Sequence, residues 1–267
     1  MKKKSDFLSF AIDLAIKAGK IQLSYFGNIS SYEKKSTNID LLTKADIESE
    51  KFIISKIQQT YPDHSIISEE SQKIENNSKH TWVIDPLDGT TNFAHNLPIF
   101  AVSIGFKINE KIECGVVYNP AVDKCFYALR GHGAFLNGSI IHPTTTSELE
   151  DALIATGFPY LHDKKYDLSF ELFKDFYDRT QGLRRLGSAA LDLCFVAMGR
   201  FDGFYEYNLE PWDICAGSLI AKEAGALVSD WDGSKMPLNG SRILCSNKYI
   251  HNKMISILKQ TKYSIFY

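Results

Sequence analysis

Residues 82–100 read WVIDPLDGTTNFAHNLPIF, an apolar run that ends in two aspartates, Asp85 and Asp88, and a Gly-Thr-Thr. Two carboxylates this close repel each other unless they share a proton, pair with Lys or Arg, or bind a cation. Pro86 restrains the backbone between them, while Gly89 permits close approach and sets the two threonines to present hydroxyls and amides. The stretch therefore predicts a strand that delivers side chains to a site.

Length and charge limit the possible partners. The chain has 267 residues, of which 44% are hydrophobic, so it can build a large core as one domain or two modest ones. Its net charge of -2 predicts no nucleic-acid partner. The lysines at positions 2–4 are followed by Asp6 and Asp13 rather than a continuous apolar segment, and no apolar run approaches the roughly 18 residues of a membrane span. We therefore expect a soluble, cytoplasmic protein that does not bind a membrane.

Cysteine and histidine patterns argue against zinc and triad chemistry. The five cysteines are widely spaced and form no C-x-x-C pair, so we expect them to be reduced and mostly buried. The seven histidines form no H-x-x-x-H pair and do not accompany a Ser or Cys in a nucleophile motif.

Apolar spacing predicts alternating helices and strands. In the first half it predicts helices from Ser5 to Gly27 and at about 44–60, strands at 65–68 and 81–84, and antiparallel hairpins over 101–141 with a turn at Asn137-Gly138. In the second half it predicts strands at 152–156, 203–207, 226–230 and 242–246, helices around 164–178, 188–199 and 211–225, and a closing helix. We expect one compact domain with two lobes, about 1–145 (α+β, antiparallel sheet) and about 146–267 (α/β).

Three further acidic residues stand at strand ends or helix starts: Asp46 in LLTKAD, Glu69 in HSIISEES and Asp213 in EPWD. Loops at the carboxyl ends of strands are where α/β folds gather ligands. A set of oxygen ligands without imidazole or thiolate selects Mg²⁺ or Mn²⁺, and carboxylates that bridge two such ions serve phosphoryl chemistry. Taken alone, however, Asp46 is more typical of a charge on a helix surface, and Glu69 with Glu70 is more typical of a solvated turn.

The string D-P-L-D-G-T-T-N-F, preceded by S-E-E-S and followed by E-P-W-D, resembles the signature of the inositol monophosphatase family of Mg²⁺-dependent, lithium-sensitive phosphatases. The resemblance extends from DLLTKAD to EAGALVSDWDG, nearly the whole chain. It implies a layered αβαβα sandwich of the sugar-phosphatase type, usually a homodimer, that hydrolyses small phosphate monoesters.

The resemblance also implies roles for individual residues. The implied metal ligands are Glu69, Asp85, Asp88, Asp213, the backbone carbonyl of Leu87 and the hydroxyl of Thr90. Glu69 and Thr90 would position the attacking water, and Asp46 would orient Thr90. The implied substrate-binding residues are Gly89, Thr90, Thr91, Ser188, Ala189, Glu206 and Asp213.

Several further residues keep more than one interpretation. Glu206 is a candidate acceptor for substrate hydroxyls or an exposed residue at a strand end. Lys35 is a candidate neighbour of the metal site or a solvated lysine, and the pair Arg184 and Arg185 could face substrate, a dimer partner or solvent. The aromatic cluster is interpreted as core: Phe201, Phe204, Tyr205, Tyr207 and Trp212.

The leading functional hypothesis is Mg²⁺-dependent hydrolysis of inositol-1-phosphate (myo-inositol monophosphate) to inositol and phosphate. Fructose-1,6-bisphosphatase, 3′-phosphoadenosine-5′-phosphate phosphatase and histidinol-phosphate phosphatase remain alternatives, because the same scaffold hosts all of these activities. An alternative of another class is a regulatory binding protein that retains the fold, and the complete ligand set argues against that as its sole role.

Overall fold

The computed structural model describes residues 4–27, 33–34, 41–42, 44–159, 163–239 and 241–267. Lys35, the candidate neighbour of the metal site, lies outside the described residues.

The described α-helices are α1 (Lys4–Tyr25), α2 (Lys44–Thr60), α3 (Thr90–Ala94), α4 (Lys164–Tyr177), α5 (Ala189–Ala197), α6 (Pro211–Ala224) and α7 (His251–Leu258). Short 3₁₀ helices lie at Pro120–Val122, Leu149–Asp151 and Thr261–Phe266. The described strands are β1 (Glu33–Lys34), β2 (Leu41–Leu42), β3 (Ser65–Ser68), β4 (His80–Asp88), β5 (Ala101–Ile108), β6 (Lys111–Asn119), β7 (Lys124–Leu129), β8 (Ala134–Leu136), β9 (Ser139–Ile140), β10 (Leu153–Thr156), β11 (Gly182–Arg184), β12 (Gly203–Tyr207), β13 (Leu227–Ser229) and β14 (Arg242–Ser246).

Two mixed sheets hold most of these strands. The first has the order β3-β4-β5-β6-β7-β8-β9, with β3 parallel to β4 and all other neighbours antiparallel. The second has the order β11-β10-β12-β14-β13, with β10 parallel to both its neighbours and the remaining pairs antiparallel. The predicted hairpins over 101–141 are confirmed, and Asn137 and Gly138 both have the positive φ of a tight hairpin turn.

Helices cover both sheets and lie between them, so the predicted layered αβαβα sandwich is confirmed. The outer helices α1 and α2 pack on one face of the first sheet, and Leu14, Ile53 and Trp82 are buried in the apolar cluster between them. Helices α5 and α6 fill the space between the sheets. Beyond the second sheet, α4 and α7 enclose another apolar core around Phe176 and Met254.

Local predictions differ from the structure in a few places. Strand β4 continues to Asp88 instead of ending at residue 84, and neither β11 nor the five-residue α3 was predicted. Short elements such as these carry too few residues for a periodic pattern to develop.

The five cysteines all lie in the described part of the chain, where each is buried and unpaired as predicted. Within the described residues, no helix combines the length and apolar character that crossing a bilayer requires.

Candidate active site

Asp85 and Asp88 lie where the pairing between β4 and β5 becomes irregular. Asp85 is opposite Ser103 and Asp88 is opposite Ala101, so three steps along β4 correspond to two along β5. Residues three apart in a regular strand face opposite sides of the sheet. The extra residue of this β-bulge allows both aspartates to face the same side, and Pro86 fits within it because a bulge can leave a backbone position without a ladder hydrogen bond.

Hydrogen bonds fix the turn between the two aspartates. The Leu87 amide donates to Asp85 Oδ1 at 3.0 Å, and the Thr90 hydroxyl donates to the Leu87 carbonyl at 3.1 Å. From α1, the buried Gln22 side chain donates through Nε2 to the Pro86 carbonyl at 2.5 Å. The orientation of successive carbonyls is thereby set from both sides of the turn.

Gly89 connects this turn to α3 with a φ of 91°, in the left-handed region that favours glycine. A Cβ at this position would lie 2.8 Å from the carbonyl oxygen of Ile99. Gly89 thus places the backbone of Thr90 and Thr91, the first two residues of α3, directly after the turn that carries the two aspartates.

Asp88 is tied to the start of α5. Its Oδ2 accepts hydrogen bonds from the Ser188 hydroxyl at 2.6 Å and the Ala190 amide at 2.9 Å. Burial raises the pKa of Asp88 to about 6, although both hydrogen bonds favour its charged form. The 85–91 segment and the first turn of α5 are therefore held together across the space between the sheets.

Asp213 is fixed by the cap of α6. Its Oδ2 accepts a hydrogen bond from the Glu210 amide at 2.7 Å, while the Glu210 side chain accepts one in return and Pro211 occupies the first turn. Burial raises the pKa of Asp213 well above its ordinary value, and the nearby carboxylates raise it further.

One pocket gathers the predicted site residues from all these elements. Those that line it are Glu69, Asp85, Leu87, Asp88, Gly89, Thr90, Thr91, Ser188, Ala189, Glu206 and Asp213. Asp46 is not among them, because it is fully buried in the first turn of α2. The interpretation of Asp46 as a surface charge is therefore wrong, and its carboxylate is near enough to contribute to the raised pKa of Asp85.

The pocket is strongly acidic. Burial raises the pKa of Asp85 well above its ordinary value, and Glu69, Asp88, Asp213 and Asp46 raise it further, in that order. Among the described residues that line the pocket, Arg185 is the one basic side chain. A cation bound between such carboxylates would relieve their repulsion and favour their charged forms.

The donor atoms fit a hard divalent cation. Every candidate ligand supplies oxygen, the donor that Mg²⁺ prefers, and Leu87 O and Thr90 Oγ1 are 3.1 Å apart. Two oxygens at right angles and 2.0–2.1 Å from Mg²⁺ would be about 3 Å apart. Among the described residues, no three Asp, Glu, His or Cys side chains already form a group able to hold an ion. Two observations therefore support a Mg²⁺ site: all candidate ligands supply oxygen, and Leu87 O and Thr90 Oγ1 have the separation expected of two neighbouring ligands.

The substrate side is built around Glu206 on β12. Glu206 is only partly exposed, so its interpretation as an exposed residue at a strand end is wrong. Burial raises the pKa of Glu206 to about 8, Arg185 opposes the rise and Asp88 adds to it. Of the arginine pair, Arg185 lines the pocket, whereas Arg184 donates to the backbone carbonyl of Leu183.

Sequence reasoning missed several residues of this region. Gly157 follows β10 directly, and a Cβ there would collide with the Glu206 carboxylate. Asp192 on α5 is buried, has an oxygen without a hydrogen-bond partner, and has its pKa raised by burial and by Glu206 and Asp88. Trp212, predicted as core, is partly exposed and lines the pocket. A glycine directly after a predicted strand was the one available signal for Gly157, and no pattern marked Asp192.

Known proteins resemble this chain along nearly its whole length. The model of the Inositol monophosphatase family matches residues 3–263. The Inositol-1-monophosphatase of Synechocystis is 41% identical over 96% of this chain and 89% of its own length. The Nus factor SuhB of Escherichia coli K12 is 39% identical over 94% of this chain and 95% of its own length. The crystal structure of extragenic suppressor protein suhB from Bartonella henselae has a TM-score of 0.91 at 37% identity, covering 96% of this chain and 99% of that one.

Proposed function

Because this chain belongs to the inositol monophosphatase family, we propose that it is a Mg²⁺-dependent phosphatase that hydrolyses inositol-1-phosphate to inositol and phosphate. The observation that supports this most is the pocket in which acidic side chains from separate elements lie beside the amides at the start of α3. Oxygen donors, the backbone at the start of a helix and a polar wall in one cleft suit a small phosphate ester.

The residues divide the work within this pocket. Glu69, Asp85, Asp88, Asp213, the Leu87 carbonyl and the Thr90 hydroxyl would hold Mg²⁺, or Mn²⁺ as a substitute. Bound Mg²⁺ supplies charge neutralisation of phosphate oxygens, polarisation of the ester and a lower pKa for a coordinated water. The amides of Gly89, Thr90 and Thr91 would hold the phosphate, and Glu69 with Thr90 would orient the water for in-line attack. No enzyme nucleophile is required.

Recognition of the organic part would fall to the opposite wall. Ser188 and Ala189 at the start of α5 and Glu206 on β12 would contact the alcohol portion, and a carboxylate there is an acceptor for vicinal hydroxyls. This favours a polyol phosphate, while fructose-1,6-bisphosphate, 3′-phosphoadenosine-5′-phosphate and histidinol phosphate remain the alternatives.

A panel of these four phosphate esters, assayed for phosphate release with Mg²⁺ and with chelator, tests the proposal. We expect the highest kcat/KM for inositol-1-phosphate and no release in chelator. No release from any ester would instead favour a regulatory binding role. That second candidate has support from relatives named Nus factor SuhB, which resemble this chain about as closely as a relative named Inositol-1-monophosphatase does.

Family membership also supports a homodimer, sensitivity to lithium and a cytoplasmic location. Five unpaired cysteines agree with a reducing compartment. Sedimentation and inhibition by LiCl against a KCl control would test the first two.

Mg²⁺ should raise the melting temperature of the wild-type protein, because it relieves the repulsion between the carboxylates and binds only the folded chain. Binding at a hundred times Kd stabilises by about 2.7 kcal/mol, which corresponds to a shift of roughly 5–10 °C for a chain of this size. Melting curves in chelator, in millimolar Mg²⁺ and in KCl of equal ionic strength measure the effect. Equal melting temperatures in all three would count against a metal site.

Gly157→Ala should raise KM for inositol-1-phosphate by roughly 2- to 10-fold, the loss of one ordinary hydrogen bond. The new methyl would displace the Glu206 carboxylate, a flexible side-chain end, so the fold should tolerate it. Gly182→Ala on the neighbouring β11 is a matched control, since its Cβ would make only ordinary contacts at 3.5 and 3.6 Å. An aryl phosphate without hydroxyls should be hydrolysed equally well by both variants. An unchanged KM for inositol-1-phosphate in Gly157→Ala would contradict the role of Glu206.

A further inference from the structure

The segment that carries Glu69 is held by one buried carboxylate, that of Glu50 in α2, which is 3% exposed. Its Oε1 accepts hydrogen bonds from the Ser68 hydroxyl at 2.5 Å and from the amides of Glu70 and Ser71, both at 3.1 Å. Its Oε2 accepts a hydrogen bond from the Ser71 hydroxyl at 2.5 Å. The two residues that flank Glu69 are therefore tied to the same oxygen atom.

The surrounding backbone closes around this carboxylate. Ile66 and Ile74 exchange both of their backbone hydrogen bonds at 2.9 Å, which joins the two ends of the segment between them. Burying a carboxylate is unfavourable unless it is hydrogen-bonded, and four donors from one short segment meet that requirement here. The segment and the Glu50 side chain thus form one hydrogen-bonded unit.

Glu50 also has a defined relation to the rest of the site. It lies four residues after Asp46, so the two carboxylates project from the same face of α2. Both are buried, Asp46 near Asp85 and Glu50 within the segment that carries Glu69. One rigid helix therefore fixes the position of Glu69 relative to the turn at the end of β4.

We propose that Glu50 is a positioning residue that sets the affinity of the pocket for Mg²⁺ by holding Glu69 in place. This inference rests on the proposed function, because it takes Glu69 as a metal ligand. Glu50 itself is outside the set of residues that line the pocket, so its effect passes through the backbone on either side of Glu69.

Glu50→Gln tests the inference, since it keeps the size of the side chain but replaces one accepting oxygen with a donor. Calorimetric titration of the metal-free protein with Mg²⁺ should give a Kd that is weaker by roughly 10- to 100-fold, the usual loss when an indirect partner of a metal ligand is removed. The Mg²⁺ concentration for half-maximal phosphate release should rise by the same factor. Glu48→Gln, an exposed position on the same helix, should leave both values unchanged.

Two further measurements separate positioning from general support of the fold. Amide hydrogen exchange at residues 68–71 should become faster in Glu50→Gln, with little change in the strands. The loss of Mg²⁺ affinity in Glu50→Gln combined with Glu69→Gln should be smaller than the sum of the single losses, because both act through one ligand. If Glu50→Gln does not fold, Ser71→Ala removes one of the four hydrogen bonds and should weaken Mg²⁺ binding in the same direction.

A lower melting temperature with an unchanged Mg²⁺ Kd in Glu50→Gln would overturn the positioning role, as would additive losses in the double variant or a wild type that binds no Mg²⁺. Absence of phosphate release by the wild type would contradict the proposed phosphatase activity but not the positioning role of Glu50. In that case weaker Mg²⁺ binding by Glu50→Gln would still support the positioning role.

Discussion

Asp213→Asn is expected to lower kcat/KM by roughly 10- to 100-fold or more, because loss of even an indirect partner of a bound metal has an effect of that size. The substitution removes a charge from the pocket and leaves its shape unchanged. The fold should survive, because the asparagine oxygen can still accept the hydrogen bond that the Glu210 amide gives to Asp213. Since neighbouring carboxylates oppose the charge of Asp213, the metal-free variant should melt at the wild-type temperature or above it.

Steady-state kinetics and melting curves in chelator, recorded together, measure these two effects. Asp167→Asn is a suitable control, because it removes an exposed aspartate from the first turn of another helix, α4, away from the pocket. Wild-type activity in Asp213→Asn would contradict the assignment of Asp213, in the EPWD motif, to the site. Loss of activity accompanied by a large drop in the metal-free melting temperature would assign Asp213 to the cap of α6 alone.

Thr90→Ala and Asp46→Asn should each reduce kcat by roughly 100-fold or more, the lower range for loss of a positioned group in proton transfer. The Thr90 hydroxyl has one proton, which it donates to the Leu87 carbonyl. If both oxygens bind Mg²⁺, that proton needs another acceptor, and we propose the buried Asp46 for this role. The hydroxyl oxygen is then free to receive a hydrogen bond from the attacking water.

The double variant Thr90→Ala/Asp46→Asn should lose little more than either single variant, because groups that act as one unit are lost once. Thr90→Ser should keep most of the rate, since the hydroxyl carries the effect. If Thr90 only stabilises the turn after Gly89, Thr90→Ala would lose about 1 kcal/mol of stability and little activity. Additive losses in the double variant would contradict the coupling between Thr90 and Asp46.

Features that depend on residues close together in the sequence were predictable. Apolar spacing gave α1, α2 and the hairpins of the first sheet, because helix and strand periods depend on neighbours within a few residues. The carboxylates of Asp85 and Asp88 were recognisable because the Pro and Gly beside them restrict the backbone in ways that the sequence displays directly.

Features that depend on pairing between distant segments were not predictable. Gly157 lies beside Glu206 only because β10 and β12 are parallel neighbours. The β-bulge around Pro86, which turns Asp85 and Asp88 to the same side, depends on the pairing of β4 with β5. The burial of Asp46 was not predictable for the same reason. An aspartate in the first turn of a helix is usually exposed to solvent, and Asp46 becomes buried only where its helix packs against a sheet. The hydrogen bonds between Glu50 and the segment that carries Glu69 were likewise not predictable, because they depend on the position of β3 beside α2.

The central claim is that the acidic pocket is a divalent-metal site, and an anomalous-difference map from crystals soaked in Mn²⁺ tests it most directly. We expect at least one strong peak within bonding distance of Asp85, Asp88 and the Leu87 carbonyl, and its loss or displacement in crystals of Asp85→Asn. A map without a peak in this pocket, or with peaks only at carboxylates on the protein surface, would contradict the claim.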